Sequence, residues 1–85
     1  MIRNEVLRFT DEMERVLKEN DHKGGWSDCP IEYLQARLVE ELGEYFRSVA
    51  INIDYQKQYG KNKPIASKEL VDIANFAMML WDRAK

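Results

Sequence analysis

Residues 68–81 read KELVDIANFAMMLW, and the fold class turns on how their apolar positions fall. Leu70, Val71, Ile73, Ala74, Phe76, Ala77, Met78, Met79, Leu80 and Trp81 do not alternate as a strand would. At roughly 100° per residue they spread almost all round a helix. A helix that is apolar on most sides is buried on most sides. The stretch therefore predicts a central helix, from about Ser67 to Arg83, that other helices must cover. Ser67 is the expected N-cap, and Glu69 sits favourably in the positive first turn. Glu69 and Asp72 find little polar face on such a helix. They raise the question of a site.

Working outward, LVEELGEYF at residues 38–46 repeats the problem with Glu40, Glu41 and Glu44. Ile31, Leu34, Leu38, Leu42, Tyr45 and Val49 recur at steps of three and four, one stripe of a second helix. It starts near Ile31 and runs to about Ile53 or beyond, with a possible extra turn in the 50–60 region. Pro30 suits its first turn, and Asp28 or Cys29 is the expected N-cap. Before it, NDHKGGWSDCP (20–30) is a loop broken by Gly24 and Gly25. Ile2, Val6, Phe9, Met13 and Val16 mark one stripe of a packing helix over residues 2–20, with Arg3, Asp11, Glu12, Arg15 and Lys18 on its wet face. QYGKNKP (58–64) is a second loop. No strand alternation, repeat or low-complexity segment stands out. The expected architecture is all-α, with two long helices and a shorter buried one.

Eighty-five residues predict one domain, 1–85, near the lower size limit for a self-sufficient core, so oligomerisation is expected. Hydrophobic content of 45% with 33% charged residues fits a globular chain, not a disordered one. A net charge of −2 gives no basic field, so no polymeric nucleic acid is expected as a partner. Cys29 is alone, which leaves neither an intrachain disulfide nor a cysteine metal cluster. MIRNEVLRFTDEME lacks the apolar run of a signal peptide, and no window approaches the roughly 20 apolar residues of a membrane span. The expected location is cytoplasmic, with no membrane partner.

Glu41 and Glu44 border the apolar stripe of the second helix, with Glu40 further toward water. Glu69 and Asp72 form a matching i, i+3 pair on the last helix, with Asn75 following on the same side. Two such pairs can face one another across a helix contact. Carboxylates converging in a partly dry space must protonate or bind a cation. Oxygen donors without histidine or cysteine select a hard ion, Mg²⁺ or Mn²⁺. The competing explanation is that glutamates are good helix formers and an EE pair is commonly solvated. It weighs most on Glu40 and least on Glu69 and Asp72. A di-iron bundle would want Glu-x-x-His on two helices, whereas the single histidine, His22, lies in a loop.

Glu-Glu-x-x-Glu at 40–44 followed by Glu-x-x-Asp at 69–72 resembles the signature of the MazG-like all-α nucleoside triphosphate pyrophosphohydrolases. KGGW (23–26) and DIANFAMML (72–80) look like a small single-domain branch of that family, so the resemblance covers about residues 22–82. It implies a helical bundle completed by dimerisation, as a homodimer or a dimer-of-dimers tetramer. It also implies Mg²⁺-dependent hydrolysis of an NTP or dNTP to the monophosphate and pyrophosphate, as nucleotide-pool house-cleaning. On the same ground Glu41, Glu44, Glu69 and Asp72 would be metal ligands and catalytic residues. Glu40 would act behind them or as a base for water. A non-catalytic helical nucleotide- or metal-binding regulatory module with the same fold is the alternative.

No P-loop pattern is present, so phosphate contacts must come from metal and basic side chains. The candidates are Lys23, Arg37, Lys57, Lys61 and Lys63. Arg37 is one turn before Glu41, where a structural salt bridge competes with a phosphate contact. Trp26 is either a stacking platform for a base or a plug at the helix junction. Asn75 either bonds a ligand or makes an interhelical hydrogen bond. Met78, Met79 and Trp81 are expected in the core or an interface.

Overall fold

The computed structural model describes residues 1–61 and 64–84. Three helices carry the fold, α1 (Asn4–Glu19), α2 (Ile31–Tyr59) and α3 (Ser67–Arg83), with a 3-10 turn at Asp21–Lys23 after α1. Among the described residues there is no strand, and the chain is all-α. The 20–30 segment is thus not wholly irregular. Its first part forms that single turn, which ends at Gly24 with φ 91, a backbone region favouring glycine.

α2 is one continuous helix of 29 residues, with no separate turn in the 50–60 region. It stops where Gly60 takes φ 70 and donates its N–H to the Gln56 carbonyl at 2.8 Å. Glycine adopts that left-handed position without a Cβ clash. Neither Asp28 nor Cys29 caps its start. Pro30 holds the N-cap in an extended conformation, and its carbonyl receives the N–H groups of Tyr33 and Leu34. Ser67 is likewise the first helical residue of α3, with Ala66 at the N-cap. In both places backbone geometry starts the helix without help from a side-chain cap.

α3 is the centre, packing on α2 along one side and on α1 along another, while α1 and α2 make no helix–helix contact. The two outer helices stand as walls over α3. Among the described residues only Leu34, Val71, Glu41 and Asn75 are buried. Two of those four are polar, a poor way to fill a core unless the groups serve something else. Cover is also thinner than expected. Trp81 is 64% exposed, and Ile2, Val6 and Phe9 of the α1 stripe are exposed. The half-buried residues of α1 are Met13, Val16 and Leu17, in its C-terminal half.

The accessible surface is 6804 Å², against about 5,300 Å² for a compact monomer of 10.1 kDa. The radius of gyration is 15.3 Å, where a compact chain of this length has about 12 Å. Large apolar side chains are among the exposed residues. Val39, Phe46 and Ile53 of α2 are exposed at 67%, 64% and 49%. With Gly43 and Ala50 they form a row about a third of a turn away from the face that meets α3. No described helix is long and apolar enough to cross a membrane.

Candidate functional site

Because α1 and α2 lean on α3 without touching each other, a cleft of about 1020 Å³ opens between them, with α3 as its floor. Arg37 and Glu41 of α2 line it, as do Asp72, Asn75 and Phe76 of α3 and Lys23 and Trp26 of the connecting segment.

α2 supplies a ladder of charges on neighbouring turns. Arg37 donates to Glu40 three residues on and, from Nη2, to Glu41 Oε1 at 3.0 Å. Its guanidinium carbon also lies 5.2 Å from the Phe76 ring centroid, so one side chain bridges α2 and α3. Burial works against its charge, but Glu40 and Glu41 outweigh it and raise the Arg37 pKa. The expected salt bridge is present, and the same side chain still faces the cleft.

Glu41 is 5% exposed, and its Oε2 has no hydrogen-bond partner. Its pKa is raised, first by burial, then by the nearby charges of Glu44 and Asp72, and also by the close approach of the Glu44 carboxyl as a hydrogen-bond partner, with Arg37 opposing. Arg37 compensates incompletely because it is shared with Glu40. A buried carboxylate with a free oxygen and two like charges beside it is an expensive arrangement.

α3 supplies the other half. Asp72 is partly buried and receives Lys68 at 3.6 Å, one turn back. Asn75, 3% exposed, reaches across to α1 and donates from Nδ2 to the Met13 carbonyl at 3.2 Å, while its Oδ1 is unpartnered. Of the two alternatives posed from sequence, the interhelical bond is present.

The predicted residues are thus unevenly gathered. Glu44 and Asp72 each lie within electrostatic reach of Glu41. Glu69 is half-buried one turn before Asp72, Glu44 is exposed, and Glu40 is mainly exposed. Among the described residues, no three acidic, histidine or cysteine side chains stand close enough together to hold a metal ion. Lys57, on the last turn of α2, and Lys61 are exposed and do not line the cleft. Lys63 lies outside the described residues.

Sequence reasoning missed a latch at the far end of the cleft. The Trp26 indole donates from Nε1 to Asp82 Oδ2 at 3.1 Å. Arg83 Nη1 donates to the Trp26 carbonyl at 2.8 Å and to the Cys29 carbonyl. The C-terminal end of α3 thereby fixes the 24–30 segment as a cleft wall. Partners 54 to 57 positions apart leave no periodic signal. Lys68, another lining residue, had one, its i, i+4 spacing from Asp72.

No family model, curated protein or solved structure matches the chain. The functional reading therefore rests on the site itself and on the residue pattern given above.

Proposed function

We propose that the chain is a Mg²⁺-dependent nucleoside triphosphate pyrophosphohydrolase of the MazG-like kind, cleaving an NTP or dNTP to monophosphate and pyrophosphate. The observation that carries this reading is Glu41. A buried carboxylate with one unpartnered oxygen, its pKa raised by burial, Glu44 and Asp72, borders a cleft wide enough for a nucleotide. The donors are hard oxygens, which fits Mg²⁺, with Mn²⁺ as a substitute.

In this reading Glu41, Glu44, Glu69 and Asp72 would hold the ion, and because no three of them stand close enough without it, they would have to draw together as it binds. Bound there, Mg²⁺ would offset the triphosphate charge and make water a better nucleophile. Water would attack the α-phosphorus and give up a proton, with Glu40 as the candidate base, while the bond to the bridging oxygen breaks and pyrophosphate leaves with that oxygen. Glu40 keeps Arg37 at the cleft, where its guanidinium can meet developing phosphate charge. Lys23 and Lys68 add positive charge from the lining.

A second copy belongs to this reading, as a homodimer or a dimer of dimers. Each chain exposes roughly 1,500 Å² more than a compact monomer would, beyond the roughly 800 Å² per partner of a standard interface. The Val39–Phe46–Ile53 row is apolar enough to account for part of it.

The test is pyrophosphate release from a panel of NTPs and dNTPs with Mg²⁺, with EDTA, and in Glu41→Gln and Asp72→Asn. Metal-dependent release lost in both variants is the expected result. No cleavage of any triphosphate, with Mg²⁺ still raising the melting temperature, would replace the enzyme by a metal-binding regulatory module.

A further inference from the structure

α2 carries a second seam besides the one on α3. Starting at Glu32, alternating steps of four and three lead to Lys57 through six further positions, and every one of the eight is exposed. That spacing is the inward repeat of a coiled coil. Gly43 stands in the middle of it, inside a helix of 29 residues, where glycine weakens a helix relative to alanine. It does not take a positive φ, and among the described residues a Cβ there would meet nothing within 4 Å. Its own chain gives no reason for the missing side chain. A close neighbour from outside does.

We propose that α2 pairs antiparallel with α2 of a second copy, in the register that seats Phe46 on Gly43 of the partner subunit. This rests on the second copy in the reading above and adds the face it takes and its direction. Centred between Glu44 and Tyr45, the register also sets Ile53 on the partner's Ala36, Val39 on the partner's Ala50 and Glu32 beside the partner's Lys57. Each large side chain meets a small one, and the ends meet with opposite charge. Twofold symmetry makes every pair twice. In an antiparallel coil like flanks face each other, so Leu42 meets the partner's Val49, and Arg47 meets the partner's Glu40. The second copy thereby brings a cation to the carboxylate that shares Arg37. A parallel pair would stack two Phe46 rings, leave Gly43 opposite Gly43, and set Glu32 on Glu32 and Lys57 on Lys57. Size and charge both oppose it. The seam is about 38 Å long, and the surplus of exposed surface is enough for a standard interface.

The experiment uses the full chain with its one cysteine removed by Cys29→Ser. Val39→Cys combined with Ala50→Cys is oxidised and resolved on a non-reducing gel beside each single variant. Antiparallel pairing puts these positions side by side between chains, within the span of a disulfide, so the double variant should be captured as a dimer. Inside one helix they stand about 16 Å apart and cannot bridge. The single variants should stay uncoupled, because each cysteine and its copy are separated by the same distance along the pair. Gly43→Leu should weaken self-association, followed by sedimentation, about tenfold or more. Its helix content by circular dichroism should be unchanged, since the position is open within the chain. Single variants that couple as readily as the double one mean a parallel pair and overturn the inference. A dimer by sedimentation that the double variant does not capture also overturns it, and leaves the second copy standing on another face. Unchanged association in Gly43→Leu overturns the seat at Gly43. The mass of one chain at every concentration overturns both the pairing and the second copy, while pyrophosphate release judges the enzyme separately.

Discussion

Replacing Glu41 by Gln should make the metal-free protein more stable while removing its activity. The wild-type carboxylate is 5% exposed and leaves Oε2 without a partner, and an unsatisfied buried acceptor costs about 1–3 kcal/mol. In the variant, the amide NH₂ can face Glu44 and Asp72, turning repulsion into attraction. The loss is the charge on the Arg37 bond at 3.0 Å. Arg37 is 32% exposed and shared with Glu40, so that loss is at most about 1 kcal/mol. The net gain is about 1 kcal/mol, which in a domain of this size moves Tm upward by about 4–8 °C.

The pH dependence has a definite sign. The folded Glu41 pKa lies above its unfolded value, so between the two the folded state holds more protons. Stability from this group is therefore lost as pH rises from about 4.5 through the folded pKa. The wild type should lose stability over that interval relative to Glu41→Gln, which has no group to titrate there. The assay is a set of thermal melts at fixed protein concentration, from pH 4.5 to 8, with and without Mg²⁺. Mg²⁺ should raise the wild-type Tm and leave that of the variant nearly unchanged. A metal-free variant less stable than wild type at pH 7, or a wild-type advantage that grows with pH, would refute the account of Glu41 as a strained acid.

Three further outcomes follow from separate parts of the fold. Arg83→Ala removes two part-buried bonds to the Trp26 and Cys29 carbonyls, for a loss of about 1.5–3 kcal/mol. Hydrogen exchange should accelerate at residues 24–30, and unchanged protection there would mean the latch is dispensable. Gly60→Ala forces a Cβ into φ 70 and should lower stability by about 1 kcal/mol, with Gly60→Asn milder. Equal denaturation midpoints for Ala and Gly would contradict that backbone assignment. Phe46→Glu puts a charge into the exposed row of α2 and should reduce the mass seen by sedimentation to that of one chain. An unchanged oligomer would move the interface elsewhere.

The amino-acid sequence by itself determined the helices. Stripes at three- and four-residue steps are a local property, and α1, α2 and α3 fall within a few residues of where those stripes place them. The nearly unbroken apolar surface of KELVDIANFAMMLW also marked α3 as the element the others must cover, and both outer helices do pack on it. Boundaries were less legible, because Pro30 and Ala66 start their helices through backbone geometry where a side-chain cap was expected. The acids were legible as a class, since charged residues on an apolar border stand out. Which acid is buried was not. Glu41 and Glu40 are adjacent and chemically identical, and only the approach of α3, carrying Asp72 and Phe76, puts one into the dry interior and leaves the other largely in water. The same holds for Asn75 on Met13 and for Trp26 on Asp82. Each bond joins residues far apart in the chain, and such pairs are decided by how helices lean on one another, which no local period encodes.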